Sequence, residues 1–235
     1  MKKNKIMLSV VSGLLVAAVA VGGTLAYLSD KSNTVTNTFN VGAGYVPEGP
    51  HVGLWLDETA KTGEENPTVI DYENRTESGV AYDEMYPATV VAKDPTFHLT
   101  NGSTESYVFA EVKGLDAISA AGYFFSAQPL ATTIDPETSD LNPNWVKVAD
   151  DGVDGATEFD GLYIYKTPVG GENYSYEMEP MFINVKLGAA VENDEFVKIT
   201  EQTIQVRGVA VQTANLTAEL AQVEAEKVLA ENANP

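Results

Sequence analysis

The feature that most constrains the fold of this chain is a period of two. Thr96–Thr100 sets Phe97 and Leu99 against Thr96, His98 and Thr100. Ser106–Lys113 sets Val108, Ala110 and Val112 against Tyr107, Phe109 and Glu111, and Met181–Leu187 alternates in the same way. On an α-helix these apolar residues would scatter around the cylinder; on a strand they share one face. Asn101-Gly102, Asn142-Pro143 and Gly170-Gly171 punctuate the runs, and such dipeptides mark turns. Short strands at roughly even spacing with turn residues between them imply an antiparallel arrangement rather than a βαβ protein. The expected fold class is all-β: an antiparallel β-sandwich or jelly roll with loop excursions and a short C-terminal helix. A chain of 235 residues that is 44% hydrophobic has enough apolar material to enclose a core.

Thr34–Val41 reads as a strand with Val35, Phe39 and Val41 on one face, Asn37 interrupting that face. From Gly42 to Pro87 the pattern is mixed. Pro47, Gly49 and Pro50 mark a loop, His51–Leu56 and Thr68–Tyr72 each suit a short strand, and the charged stretch Glu73–Met85 reads as an exposed excursion. Ala88–Ala92 is apolar and β-branched. Asn-Gly is a strong hairpin dipeptide, so Thr96–Thr100 and Ser106–Lys113 are expected to pair with each other. Leu115–Phe125 fits either a short helix or a strand, whereas Trp145–Val148 and Glu158–Thr167 read as strands. Between Ile204 and Val211 the apolar parity slips at Arg207-Gly208, the signature of a β-bulge at glycine. Asn215 or Thr217 suits a helix N-cap, and Ala218–Ala230 is composed of helix formers. Leu216, Leu220 and Val223 form its apolar stripe, interrupted by Lys227, with fraying expected before Asn232.

The N-terminal segment follows different rules. Lys2, Lys3 and Lys5 precede an apolar run from Ile6 to Val21, and Thr24-Leu25-Ala26 ends in a small residue. This is the layout of a secretory signal peptide cleaved after Ala26, leaving Tyr27 as the first mature residue. The competing reading is an uncleaved anchor, because Ile6–Leu28 carries no charge and at about 1.5 Å per residue reaches across a bilayer of roughly 30 Å. Gly22-Gly23 and Thr24 break the run where a peptidase needs extended chain, which favours cleavage. No second apolar stretch and no LPxTG-like signal lies near the C-terminus, so covalent wall attachment is not expected. The chain thus divides into a leader (1–26), an N-terminal mature segment (27–42), a β-sandwich domain (43–214) and a C-terminal helix and tail (215–235). The net charge is −20; without the three leader lysines, 34 acidic residues face 11 basic ones. Such a surface repels nucleic acid and anionic lipid.

The ordered pattern Gly22-Gly23-Thr24-Leu25-Ala26-Tyr27-Leu28-Ser29-Asp30, followed by Asn37-Thr38-Phe39-Asn40-Val41-Gly42, resembles the leader junction of the TasA/camelysin family. Weaker echoes are Thr100-Asn101-Gly102-Ser103 leading into Tyr107–Val112, Tyr163-Ile164-Tyr165-Lys166, and Val209-Ala210-Val211-Gln212; residues 43–95 depart from the pattern. The resemblance implies a secreted, extracellular protein of Gram-positive bacteria, processed by a SipW-type signal peptidase at Thr24, Ala26 and Tyr27. It also implies a non-enzymatic structural role at the cell surface or in a biofilm matrix, with self-assembly into a homo-oligomer or filament. The sequence adds a suitable strand beside the cut. Val35, Thr36, Asn37, Thr38, Phe39 and Val41 are the candidate donor-strand residues, pairing with the open sheet edge of a neighbouring subunit. The membrane is then met only transiently, through the leader.

Constellations that carry chemistry are sparse. The two histidines, His51 and His98, lie in separate segments without an H-E-x-x-H pattern. A zinc peptidase needs convergent ligands and a general base, so the metallopeptidase activity that camelysin-type relatives imply stands as an alternative. His98 reads as a solvent-facing strand residue. Asp150–Gly155 lacks both the spacing and the twelfth-position Glu of a calcium loop and reads as a turn. Asp57 with Glu58, and Glu64 with Glu65, read as solvated charge pairs. No resident metal or cofactor is expected beyond weak Ca2+ binding at the acidic surface. Absence of cysteine excludes disulfides and thiolate metal sites. The 11 tyrosines and two tryptophans leave a carbohydrate-binding adhesin as a further alternative, against core packing of the same rings. No G-x-S-x-G, phosphate-loop or dinucleotide motif occurs.

Overall fold

The structure, a computed structural model, describes residues 32–35, 38–41, 53–82, 85–128, 138–151, 157–172, 176–189 and 203–231. The described residues form three antiparallel sheets and a short C-terminal helix. The first sheet contains β1 (Ser32–Val35), β2 (Thr38–Val41), β3 (Leu54–Thr59), β4 (Arg75–Thr76) and β6 (Thr96–Leu99), with β3 at its centre. The second has the order β12-β7-β10-β9, namely Gln205–Gln212, Ser106–Lys113, Gly161–Tyr165 and Trp145–Asp150. The third places β11 (Asn184–Leu187) between β5 (Val90–Ala92) and β8 (Tyr123–Ser126). Helix α1 covers Leu115–Ala120 and α2 covers Ala218–Glu231. Leu115–Phe125 is therefore helix first and strand second.

Strand alternation sorts the side chains into two cores. Val108, Ala110 and Val112 of β7 join Leu54, Leu56, Phe97, Val91, Phe125 and Val185 in a cluster fed by all three sheets. The opposite face of the second sheet, with Phe109, Leu162, Val209 and Val211, is covered by Ala221, Ala225, Val228 and Leu229 of α2. Both faces of β12 are thus covered, and this explains its parity change. The register from Gln205↔Lys113 to Gln212↔Ser106 runs unbroken, so the bulge expected at Arg207-Gly208 is absent. Val206 and Ala210 point into the first core, Val209 and Val211 into the second. Gly208 is glycine because of close approach: a Cβ there would lie 2.3 Å from Phe97 Cε1 and 2.9 Å from Leu54 Cδ2. A register shift does occur between Leu162 and Tyr163 of β10, where β9 carries one extra residue.

Other expectations are also corrected. Asn101-Gly102 does not join a hairpin: β6 pairs with β3, β7 pairs with β10 and β12, and the turn carries the chain between sheets. Gly102 supplies the positive φ of 85° that this turn requires. The single strand read over Thr34–Val41 is two strands, paired as Ser32↔Val41 through Val35↔Thr38, with β2 joined to β3. Thr68–Tyr72 is not a strand, and β3 begins at Leu54 rather than at His51. Within Glu73–Met85, Arg75 and Thr76 form β4 and Val80 is buried. On α2 the buried stripe is Ala221, Ala225, Val228 and Leu229, while Leu220 and Val223 are exposed. Among the described residues no helix is long and apolar enough to cross a membrane.

Candidate functional site

The densest polar constellation is built on β3. Its alternation sends Leu54, Leu56 and Glu58 to one face and Trp55, Asp57 and Thr59 to the other. β6 lies directly alongside, with Trp55↔His98 and Asp57↔Thr96 as cross-strand partners, and β4 places Arg75 opposite Thr59. Three segments distant in sequence therefore bring Asp57, Asp94, Arg75 and His98 together.

Arg75 is the hub. Its Nε and Nη2 donate to Asp57 Oδ1 at 3.1 and 2.6 Å, and Nη1 donates to Asp94 Oδ2 and to Thr59 Oγ1 at 3.3 Å. Nη2 also reaches Thr96 Oγ1 at 3.1 Å and the Asp94 carbonyl at 3.4 Å. A guanidinium has five N–H donors in a fixed fork, so this cage of oxygens matches it well. Asp94 Oδ1 additionally accepts from Thr59 N at 2.8 Å. His98 Nε2 lies 3.0 Å from Asp57 Oδ1, and its ring stacks on Trp55 with centroids 4.1 Å apart and planes 15° apart. Burial acts to raise the Asp57 carboxyl, but hydrogen bonds and charge from His98 and Arg75 outweigh it and hold the group below the usual carboxylate range. On the reverse face, Lys93 Nζ pairs with Glu58 Oε2 while Val80 N donates to Glu58 Oε1 at 3.0 Å. The buried Asp57, Glu58, Lys93 and Asp94 overturn the solvated reading of Asp57 with Glu58. His98, read as solvent-facing, is half-buried: its ring stacks on Trp55 and contacts Asp57, and it lines an open cleft beside them.

Beside this network lies an open cleft of about 950 Å³, lined by residues that include Trp55, Tyr72, Arg75, His98, Glu177 and Pro180. A second cleft of about 920 Å³, lined in part by Lys61, Glu65, Thr76 and Val80, lies on the other side of β4. Chemically the network is a fastener. It holds the Asp57 carboxylate ionised beside a guanidinium and ties β4 and the Lys93-Asp94 corner to β3. Among the described residues no group of three or more His, Asp or Glu side chains is placed to hold a metal ion.

No family model matches the chain, and no curated protein or solved structure matches it.

The residues singled out from sequence fall elsewhere. Thr24, Ala26, Tyr27, Thr36, Asn37 and His51 lie outside the described residues, as does the loop 152–156. Val35 belongs to β1, and Thr38, Phe39 and Val41 to β2. Asp150 ends β9, and Lys147 Nζ lies 2.8 Å from its Oδ1. The hydrogen bond from Lys147 holds this exposed carboxyl low. Sequence reasoning missed Arg75 and Asp94. One signal was available: the chain has only two arginines, Arg75 and Arg207. Both form partly buried carboxylate pairs, Arg207 with its cross-strand partner Glu111, which is the use that suits a guanidinium over an ammonium.

Proposed function

We propose that this is a secreted, non-enzymatic structural protein of the bacterial surface or biofilm matrix that self-assembles by N-terminal strand addition. The observation that supports it is the attachment of the segment following the leader. β1 pairs with β2, and β2 meets the central strand β3 through Phe39↔Leu56 and Asn40↔Trp55. Among the described residues this segment meets β3 through two main-chain pairs, and the same kind of bond can form with a neighbour's segment. The resemblance of residues 22–42 to the TasA/camelysin junction supports the same reading, with a SipW-type peptidase releasing Tyr27. Burial of Phe97 and Leu54 against Gly208 of the second sheet supports a sandwich or jelly-roll arrangement of the sheets.

The test compares mature protein with a variant lacking residues 27–41, by electron microscopy and sedimentation, after N-terminal sequencing of the secreted form. The expected result is filaments from the mature chain and a folded monomer from the deletion. Filaments that persist in the deletion refute strand addition. Casein hydrolysis abolished by His98→Ala or His51→Ala would instead establish the peptidase alternative.

A further inference from the structure

The charged pair on the reverse face of β3 differs in kind from the Arg75 network. Lys93 Nζ meets Glu58 Oε2 with both side chains buried, 6% and 5% exposed, although the residues lie 35 apart in the chain. The backbone fixes both ends. Glu58 pairs with Thr76 across β3 and β4, Lys93 N donates to Ile183 O at 3.2 Å, and the preceding Ala92 N donates to Pro67 O at 2.7 Å. The Tyr82 ring covers the ammonium, its centroid 5.8 Å from Nζ, and is pinned by its hydroxyl, which donates to Ala92 O at 2.9 Å.

The two oxygens of Glu58 have different partners: Oε1 accepts from Val80 N at 3.0 Å, and Oε2 meets the amine. An ammonium carries three donors, and among the described residues this one has a single acceptor, Glu58 Oε2, and a ring face. Two charges held in this way are costly to bury, and an amide in their place removes both. The neighbouring ion pairs lack this combination. Arg75 and Arg207 present guanidinium groups, which stay protonated and offer no nucleophilic lone pair. Lys147 and Asp150 open to solvent, 24% and 50% exposed.

We propose that Lys93 and Glu58 condense into an intramolecular isopeptide bond that staples β3 to the Lys93-Asp94 corner. The ammonium gives one proton to the carboxylate, and the freed lone pair of Nζ attacks Glu58 Cδ. Negative charge gathers on Oε1, where the Val80 N–H is already aimed. The Cδ–Oε2 bond then breaks, and Oε2 leaves as water carrying two protons that began on Nζ. One NH3+ and one COO− thus become one NH–CO and one H2O, with no oxidant, reductant or co-reactant. Holding amine and carboxyl in contact makes the condensation intramolecular. In a chain without cysteine the bond supplies the covalent closure that a disulfide cannot.

The test is the intact mass of the purified, folded protein, with its N-terminus established by sequencing. The expected mass is one water below that of the sequence. Trypsin should release the peptides carrying Glu58 and Lys93 as one branched product, whose fragment ions place the link between those two residues. Lys93→Arg keeps a cation beside Glu58 but no amine; it should show the full sequence mass and two separate peptides. The full sequence mass in the unaltered protein overturns the proposal. So does a lost water that persists in Lys93→Arg, which places the dehydration elsewhere, as at the Asp151-Gly152 step. The branched peptide is read on the unaltered chain, so the answer does not depend on the variant folding. The inference is independent of strand addition, which deletion of residues 27–41 tests separately.

Discussion

Substituting Gly208 by alanine separates two explanations of the glycine in β12. The strand pairs with β7 without a break, and the missing side chain would point at Phe97 and Leu54. The added methyl carbon would sit 2.3 Å from Phe97 Cε1, 3.0 Å from its Cζ and 2.9 Å from Leu54 Cδ2, against an optimal carbon–carbon separation of about 3.5–4.0 Å. Phe97 is 1% exposed and packs on Trp145 with ring centroids 5.4 Å apart, so the ring has nowhere to retreat. Overpacking of this kind costs about 1–3 kcal/mol, and a clash of more than 1 Å belongs at the upper end. Replacing glycine within a strand returns roughly 0.5–1 kcal/mol, leaving a net loss of about 2 kcal/mol. Urea unfolding should show a midpoint lowered by about 0.7–1 M with unchanged slope, for a slope of about 2–3 kcal/mol/M. Phe97→Leu removes the ring atoms nearest the methyl but leaves Leu54 Cδ2 at 2.9 Å, so Gly208→Ala in that background should cost about 1 kcal/mol less than in the unaltered chain, a coupling that a double-mutant cycle reads directly. A neutral single variant, or equal losses in both backgrounds, would refute close approach and return the glycine to a backbone role.

Asp57→Asn should destabilise by about 3 kcal/mol near neutral pH, the low end for breaking a buried pair because Arg75 retains Asp94. Because the Asp57 carboxyl is held low in the fold, its contribution is present above about pH 4 and is lost as pH falls through its folded value. Urea midpoints of wild type and variant should therefore converge in acid. Asp160 carries the opposite sign. It accepts from Gly114 N, Leu115 N and Asp116 N at the start of α1, yet burial pushes its carboxyl above the ordinary range. Asp160→Ala should cost about 1–2 kcal/mol, and in the same titration its gap to wild type should widen as pH falls, since a raised carboxyl contributes most below its unfolded value. On α2, Leu220→Ser at an exposed position should change stability by no more than about 0.5 kcal/mol, whereas Ala225→Leu beneath the helix should cost about 1–3 kcal/mol, both read as thermal midpoints.

The sequence alone determined the antiparallel β class, the faces of β6 and β7, and the C-terminal helix. Each of these depends on the period of side chains along one segment, and a period needs no knowledge of what the segment meets. The tertiary structure decided everything that depends on a partner. Asn101-Gly102 is an equally good turn within a sheet or between sheets, and only the neighbours of β6 and β7 chose the second. Leu220 and Val223 are more apolar than Ala221 and Ala225, but the docking of α2 on the second sheet turns the alanine side inward together with Val228 and Leu229. Val206 and Val209 read as out of phase until both faces of β12 have a cover, one from Phe97 and Leu54, the other from α2. The polar network was hidden for the same reason. Asp57, Arg75, Asp94 and His98 span 41 residues, and each alone is an ordinary surface residue type; their meaning arises where β4 and β6 flank β3. A charge buried by distant strands cannot be told from a solvated one by its neighbours in the chain, because burial is a property of the folded sheet and not of any one strand.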